Sequence, residues 1–576
     1  MTNADVARVF TEVADLMEIK GEDGFRVNSY RRVARTIDGL TTEVRELAAR
    51  PGELEKLPGI GKGSATKIQE LLKTGRLTLR DELTAEVPES LLTLRAIPGV
   101  GPKKIAMLWR ERGVTTLEQL KAAIDGGQLA GIKGVGDKMI EQMRRGLEFA
   151  ATAGRRTRLG RAWELAEELK FAVAELAGVK RVEHAGSLRR GVETVGDLDL
   201  LCVADDGGAV VAGFVKLSQV SQVLVAGETK GSVVIEYRPG RQIQVDLRVV
   251  PGESFGAAWQ YFTGSKEHNV RLRERAQKRA WSLNEYGLTD GKKVIASRSE
   301  EEIYAALDLP WIPPELREDR GELDLKKVPE DLLKLSDIRG DLHMHTSASD
   351  GTLSIEETIA AAKARGYEYI CITDHSQSSV VANGLTPQRL EAHVAAVRTA
   401  AKKVRGITVW VGAEVDILKD RLDYSDELLE KLDFVVASVH AGMSHDAAAN
   451  TRRTLTAIEN RFVNLIAHPT GRLINRREPM PLEMDTVIAA AVRTGTALEI
   501  NANPLRLDLK DHHVRMAREA GATICIDCDA HSTPDFDNMH FGVTTARRAW
   551  TRKGEVLNAR GADEVREFVK RKRRRT

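Results

Sequence analysis

Two pairs of chemistry-bearing residues, each spaced by two, set the problem. Asp197 and Asp199 lie in GDLDLL, and His343 and His345 lie in DLHMHTSASDG. Side chains two apart on a strand share one face, so each pair offers metal-binding groups from one short stretch. The chemistries differ: paired carboxylates are hard oxygen ligands suited to Mg2+, whereas mixed imidazoles and carboxylates favour Mn2+, Zn2+ or Fe2+. A third carboxylate, Asp246 in QVDLRVV, can join the first pair from a neighbouring strand. Three carboxylates suit two Mg2+ ions that activate an attacking hydroxyl and steady a leaving phosphate oxygen. In AGSLRRG, Ser187 and the forked donors of Arg190 suit a triphosphate. The second pair is followed by Asp350, His375 in ITDHS, Glu414 in GAEVD, His440 in ASVH, His468 in IAHP, and Asp529 and His531 in DCDAH. A lone histidine after an apolar run is ordinarily structural, but nine ligand-type residues at the same end of successive βα units read as a site.

The elements that must position these groups change along the chain. Of 13 histidines, only His184 and His268 precede residue 343, so two chemistries occupy two segments. Residues 1–150 are amphipathic and helical in pattern. They hold three glycine turns of one frame: LPGIGKG (57–63), IPGVGPK (97–103) and IKGVGDK (132–138). Such turns let the backbone approach a partner, and the free N–H groups of the next helix can hold a phosphate. Three turns of one frame resemble helix-hairpin-helix DNA-binding motifs, and that resemblance implies that Gly59, Gly61, Lys62, Gly99, Gly101, Lys103, Gly134, Gly136 and Lys138 grip backbone phosphates and bind DNA without reading its sequence. Residues 156–250 alternate helix and strand. WIPPELREDRGELDLKKVPEDL, proline-bearing and charged, reads as a linker. From 337 onward, strand-like runs (YICIT, VWVGAE, FVVASVH, LIAHP, ALEIN) alternate with helical ones, which predicts a parallel sheet or barrel. The tail VKRKRRRT reads as a solvated, disordered end.

At 576 residues the chain exceeds one core. Its 86 basic and 84 acidic residues nearly cancel, so nucleic-acid affinity must come from local patches. There is no run of 18 apolar residues and no charged-then-apolar N-terminus, so neither a membrane span nor a signal peptide is indicated. Four cysteines are too few for a disulfide framework, which fits the cytoplasm. Cys525 and Cys528 form a lone CxxC in an apolar run and read as structural.

Four stretches, GSLRRGVETVGDLDL, VDLRVV, YFTGSKEHNVRLR (261–273) and LNEYGL (283–288), resemble in order and spacing the family X DNA polymerases. The resemblance covers residue 1 to about 315. The late ligand set resembles the PHP (polymerase and histidinol phosphatase) domain over residues 337 to about 570, with all nine positions of that family's trinuclear site filled. Together they resemble the bacterial family X polymerases with a C-terminal PHP domain.

The resemblance implies an organisation: an all-α helix-hairpin-helix region (1–85, lyase-like, and 86–150, fingers-like), an α/β nucleotidyltransferase palm (151–255) and a thumb (256–315). A linker (316–336), a distorted (β/α) barrel PHP domain (337–570) and a basic tail (571–576) follow. It implies that Asp197 and Asp199 bind both Mg2+ ions, while Asp246 binds the catalytic one and helps activate the 3′ hydroxyl. Ser187 and Arg190 would hold the β and γ phosphates. Tyr261 and Phe262 would wall off the sugar before the turn at Gly264, Asn269 would touch the base edge, and Arg273 the template. In the PHP set, His343, His345, Glu414 and Asp529 would hold one metal. Glu414 would bridge to a second held by His440 and His468, and Asp350, His375 and His531 would hold a third, with Mn2+ or Zn2+ as the ions.

The implied activity is gap-filling DNA synthesis on primed or gapped DNA with dNTPs. A metal-dependent 3′–5′ exonuclease accompanies it, with abasic-site endonuclease and 3′-phosphatase activity within its range, in a monomer. The family also suggests a 5′-deoxyribose phosphate lyase, with Lys67 as nucleophile and Tyr30 in support. Here the chain departs from the pattern, since Gly63 stands where a second lysine is expected, with Lys62 adjacent. Lys67 reads equally as a surface helix residue or a phosphate contact. Two other readings compete: a template-independent nucleotidyltransferase fused to a small-molecule phosphatase, and a non-catalytic DNA scaffold. The three glycine turns and the YFTGS-to-LNEY segment oppose the first, and the full ligand sets oppose the second.

Overall fold

The computed structural model describes the chain except residues 2, 39–43, 58, 98–99, 133–134, 137–138, 142, 145–146, 148–155, 239, 444–445 and 575–576. Gly99, Gly134 and Lys138 of the glycine turns therefore lie outside the described residues. Two compact units form, Met1–Gly154 with Asn475–Glu478, and Arg155–Ile474 with Pro479–Thr576.

The first unit is helical around one apolar core that includes Phe10, Leu16, Ile68, Leu94 and Ile105. Its three glycine turns repeat one backbone pattern. The N–H of Ile60, Val100 and Val135 donates to the carbonyl three residues earlier, and the carbonyl of Gly61, Gly101 and Gly136 accepts from the residue three later. The hydrophobe between the glycines is buried each time. It anchors the turn against the core. Gly61 caps α1 (Lys62–Thr74) and Gly101 caps α2 (Pro102–Arg112), neither with a side-chain cap. Among the described residues, no capping side chain occupies the first N–H groups of either helix; those of Ser64 and Lys104 donate to the Gly61 and Gly101 carbonyls, and Pro102 has none. Gly59 must be glycine, because at φ +78° a Cβ would lie 2.3 Å from Arg32 Cδ.

The second unit holds both candidate centres. A five-stranded sheet is built from β1 (Val179–His184), β2 (Asp197–Ala204), β3 (Val220–Ala226), β4 (Lys230–Arg238) and β5 (Arg241–Val250), in the order β1-β2-β5-β4-β3. Only the β2–β5 pair is parallel. The helix α3 (Leu159–Ala174) covers β1, the turn helix α4 (Gly186–Arg189) precedes β2, and α5 (Phe255–Thr263) and α6 (Lys266–Gln277) follow β5. A small antiparallel sheet over residues 282–296 comes next, followed by α7 (Glu300–Ala306) and, far along the chain, by α8 (Met539–Arg548).

Residues 316–336 are not a solvated linker. Leu316, Arg317, Glu322 and Leu323 are buried. Arg317 forks onto Glu300 with Nη1–Oε1 at 2.7 Å and Nη2–Oε2 at 3.0 Å, and Glu322 takes His268 Nδ1 at 2.6 Å. The charges that suggest a linker in sequence are instead placed in a buried ion pair, Arg317–Glu300, and a buried hydrogen bond, Glu322–His268. The C-terminal tail likewise departs from expectation. It continues the helix Ala562–Arg574, and Lys572, 2% exposed, donates to the Ile458 carbonyl at 2.6 Å.

Seven parallel strands then follow in sequential order, β6 (Gly340–Asp341), β7 (Tyr369–Ile372), β8 (Thr408–Asp416), β9 (Phe434–Ser438), β10 (Leu465–Ile466), β11 (Ala497–Asn501) and β12 (Ile524–Asp527). The ends of the sheet meet: Met344 bridges Ala530, and the buried carboxylates of Asp341 and Asp527 accept backbone N–H groups from Cys528 and Leu342. The result is a nearly closed barrel, the distorted (β/α) barrel expected. The four cysteines are free and buried, and burial holds the Cys525 and Cys528 thiols well above the usual range, so neither offers a thiolate.

Barrel and five-stranded sheet share one apolar core. Ile474, Leu507 and Phe541 pack with Leu159, Leu169, Val195 and Leu198. The approach is close: a Cβ on Gly160 would lie 2.6 Å from Pro504 Cβ, and one on Gly191 would lie 2.0 Å from Thr544 Cγ2 of α8 (Met539–Arg548).

Candidate metal centres

The parallel register of β2 and β5 sets Asp199 opposite Asp246 and Asp197 opposite Gln244, so three carboxylates gather at one end of the sheet. Asp199 is pushed up to about 7 by burial and by the charges of Asp197 and Asp246. Asp246 meets Lys230 Nζ at 2.9 Å and accepts from Gln244 Nε2 at 2.8 Å. Hard oxygens this crowded repel one another, and divalent cations answer that repulsion. The preceding turn is built around them. Gly186 has φ +61°, and a Cβ there would sit 2.1 Å from Asp199 Oδ2. Ser187, in α4, is half-buried beside this glycine.

Arg190, at the end of the same turn, is fixed by two partners. Its Nε donates to Glu318 Oε1 at 3.0 Å and its Nη1 to the Thr263 carbonyl at 2.8 Å. Tyr261 and Phe262 meet edge to face at 5.2 Å. The Asn269 amide is engaged internally: Nδ2 donates to the Tyr261 carbonyl at 2.6 Å, and Oδ1 accepts from Gln260 Nε2 at 2.8 Å. Gly264 is needed there, since a Cβ would lie 2.6 Å from Asn269 Oδ1. Arg273 is half-buried on α6. In the first unit, Lys67 is half-buried on α1, and Tyr30 stacks with Phe10 at 6.0 Å.

The nine barrel residues converge. Ligand atoms within 4.8 Å of one another form three overlapping groups: His345, Asp350, His375 and His531; His343, His345 and Glu414; His375, Glu414 and His440. Asp529 Oδ1 lies 3.1 Å from His345 Nε2, and His468 Nε2 lies 2.9 Å from Glu414 Oε1. His375 thus touches Glu414 as well as the Asp350 group. His345 Nδ1 and Glu414 Oε2 are buried with no hydrogen-bond partner among the described residues, and this donor set fits divalent cations. Burial, with His531 and His375 nearby, drops His345 to about 4, and burial drops His468 to about 3. Both imidazoles are therefore neutral and free to ligate. The site opens into a cavity of about 640 Å³ whose wall also includes Val380, Lys419, Arg453 and Arg506. His468 (φ +29°) and Asp529 (φ +53°) adopt left-handed backbone, a strain of about 1–3 kcal/mol each that the rigid barrel sustains.

Sequence reasoning missed the residues that orient these ligands. Glu499, in the middle of β11, receives His343 Nδ1 at 2.6 Å and also accepts the His468 N–H. Asp416 holds His440 Nδ1 at 2.7 Å. Asp374, backed by His393 Nε2 at 2.9 Å, accepts the Thr346 and Ser349 N–H groups and so shapes the loop after His345. The β11 alternation ALEIN was the available signal, because Glu499 is a charge inside an otherwise apolar strand.

Family models match along the chain in the same order. A helix-hairpin-helix domain matches residues 1–77 and a SAM-like helix-hairpin-helix tandem matches 91–148. The DNA polymerase beta thumb matches 258–318 and the PHP domain 341–502; Asp529 and His531 lie beyond that last match. The chain is 38% identical over 574 residues to the DNA polymerase/3'-5' exonuclease PolX of Bacillus subtilis (strain 168), which covers 99% of this chain and 100% of that protein. Rat DNA polymerase lambda is 30% identical over 290 residues, 46% of this chain and 48% of that protein. A probable phosphatase of Thermoanaerobacter sp. (strain X514) is 28% identical over 247 residues, 41% of this chain and 96% of that protein. Relatives thus exist for a part of the chain and for the whole, and on the full-length similarity the chain belongs to the family X DNA polymerases with a C-terminal PHP domain.

Proposed function

We propose that this enzyme fills gaps in primed DNA from dNTPs at the carboxylate centre and removes 3′-terminal nucleotides at the barrel centre. The observation that carries the reading is the register that faces Asp199 with Asp246 directly behind the glycine-serine turn. Asp197, Asp199 and Asp246 would hold two Mg2+ ions, and the nine barrel residues up to three Mn2+ or Zn2+. Bound ions supply charge stabilisation to the attacking and leaving oxygens of an in-line displacement. The chain's own groups do the rest. Asp246 takes the primer hydroxyl's proton, Ser187 and Arg190 orient the triphosphate, and Tyr261 and Phe262 wall the sugar. The glycine turns grip backbone phosphates through helix N-termini. We also read the protein as a cytoplasmic monomer; no helix among the described residues is long and apolar enough to cross a membrane.

A 5′-labelled primer on gapped DNA tests this, with and without dNTPs, in Mg2+ or Mn2+. Lengthening with dNTPs and shortening without them is the expected result; an unchanged primer in every lane would refute it. Asp246→Ala should abolish extension and spare shortening, and His343→Ala the reverse, each by about 100-fold or more since even a group behind a metal ligand is worth ~10–100-fold.

A further inference from the structure

The turn that carries Arg190 is held from outside the polymerase half. Arg548, the last residue of α8 in the PHP half, is 7% exposed. Its Nη1 donates to the backbone carbonyl of Arg190 at 2.8 Å and to Glu318 Oε1 at 2.9 Å. The same Glu318 oxygen accepts Arg190 Nε at 3.0 Å. Behind it, Asp511 Oδ2 fixes Arg548 through Nε at 3.2 Å and Nη2 at 3.1 Å, and meets Arg320 Nη1 at 3.1 Å. One turn of α8 earlier, Thr544 fills the place of any side chain at Gly191, which has φ +66°. One residue of the PHP half therefore holds both the backbone of Arg190 and the carboxylate that fixes its side chain.

We propose that Arg548 is a positioning residue for nucleotide binding at the polymerase centre. The inference rests on the reading of Arg190 as a triphosphate contact. Two guanidinium groups share one carboxylate oxygen, so Glu318 neutralises neither fully and Arg190 keeps charge for a phosphate. Its Nε and Nη1 are taken by Glu318 and Thr263, which leaves Nη2 for that phosphate. Without Arg548, Glu318 turns wholly to Arg190 and the Arg190 carbonyl loses its charged donor. Both changes weaken the grip on a triphosphate. Lysine cannot replace the fork, because one ammonium does not span Asp511, Glu318 and a carbonyl in that geometry.

The test is steady-state extension by the full chain in Mg2+, with dNTP concentration varied. Arg548→Ala should raise KM for dNTP about 10-fold, the worth of one charge-assisted hydrogen bond, with kcat changed far less. Arg548→Lys should fall between. Hydrolysis of bis(p-nitrophenyl) phosphate in Mn2+ should be unchanged in both. Gly160→Ala, which crowds Pro504 in the same shared core but touches nothing near Arg190, should leave KM for dNTP unchanged. In the double variant Arg190→Ala/Arg548→Ala, the second substitution should add little to the first. Additive effects, an equal KM rise in Gly160→Ala, or parallel loss of both activities would make Arg548 a mere domain fastener and overturn the proposal. An unaltered KM in Arg190→Ala would instead remove the reading of Arg190 on which it stands. Should Arg548→Ala not fold, Arg548→Lys and Glu318→Gln carry the same comparison.

Discussion

Asp199 Oδ2 stands where a side chain on Gly186 would have to be, 2.1 Å from the position of a Cβ. Turn and carboxylate are thus fitted to each other, and the glycine of the glycine-serine pair is fixed by the acid thirteen residues on. Gly186→Ala must move one or the other, and misplacement of a catalytic group by ~1 Å costs about 100-fold. Extension should fall by that order while 3′ shortening holds. Equal loss of both activities, measured on the same labelled primer, would show that the fold and not the centre had been damaged.

Glu499 orients His343 and also anchors the His468 backbone, so it supports two of the candidate ligands at once. Glu499→Gln keeps the volume and removes the charge. The Mn2+ concentration for half-maximal nuclease activity should rise about 10–100-fold, with the dependence of extension on Mg2+ unmoved. A nuclease titration that superposes on the wild type's would mean that Glu499 does not tune the centre.

Buried Glu300 lies between Arg189 and Arg317, with Oε1 2.7 Å from each Nη1. Burial pushes its carboxyl up, but the two guanidinium groups outweigh this and bring it from 4.5 down to about 2. A depressed carboxylate stabilises the fold above its unfolded value and loses that contribution as pH falls through the folded one. The contribution is on the order of 3 kcal/mol at neutral pH and disappears between about pH 5 and 2. Urea unfolding can follow it through Trp259, whose ring lies 3.4 Å from the Arg189 guanidinium carbon. The wild type should be more stable than Glu300→Gln at pH 7, and the gap should narrow as pH falls towards 3. A gap constant over that range would contradict the ionised pairing.

Lys67 can be tested chemically. If it attacks a 5′-deoxyribose phosphate, borohydride should trap the protein on such DNA and Lys67→Ala should abolish the adduct. Persistent trapping in the variant would move the nucleophile elsewhere, and absence of trapping in the wild type would remove the lyase.

Much of this architecture is legible in the chain, because its signals are local. Asp197 and Asp199 share a strand face by spacing alone, the three glycine turns repeat one hydrophobic frame, and each barrel ligand follows an apolar run. What stays hidden depends on distant partners. Arg317 and Glu322 sit in a stretch with the composition of a linker, and only Glu300 and His268 explain their burial. Glu318 reads as one more surface acid until Arg190 and Arg548 meet on it. Asn269 shows the converse: its motif is legible, but the hydrogen bonds from Gln260 and to Tyr261 that occupy its amide are not. The VKRKRRRT tail reads as solvated because its charge dominates, yet Lys572 reaches a carbonyl inside the fold.

The shared core of Ile474, Leu507 and Phe541 with the helix and sheet beside the carboxylates has a kinetic meaning. Swinging the barrel away from that sheet would expose this apolar surface to water, so the distance from one centre to the other is fixed by packing. On the proposed reading of the two centres, it is then the primer end that would have to come unpaired and travel between them. Editing by such a molecule would be timed by the melting of the last few base pairs, so a terminus rich in A·T should be surrendered sooner than one rich in G·C.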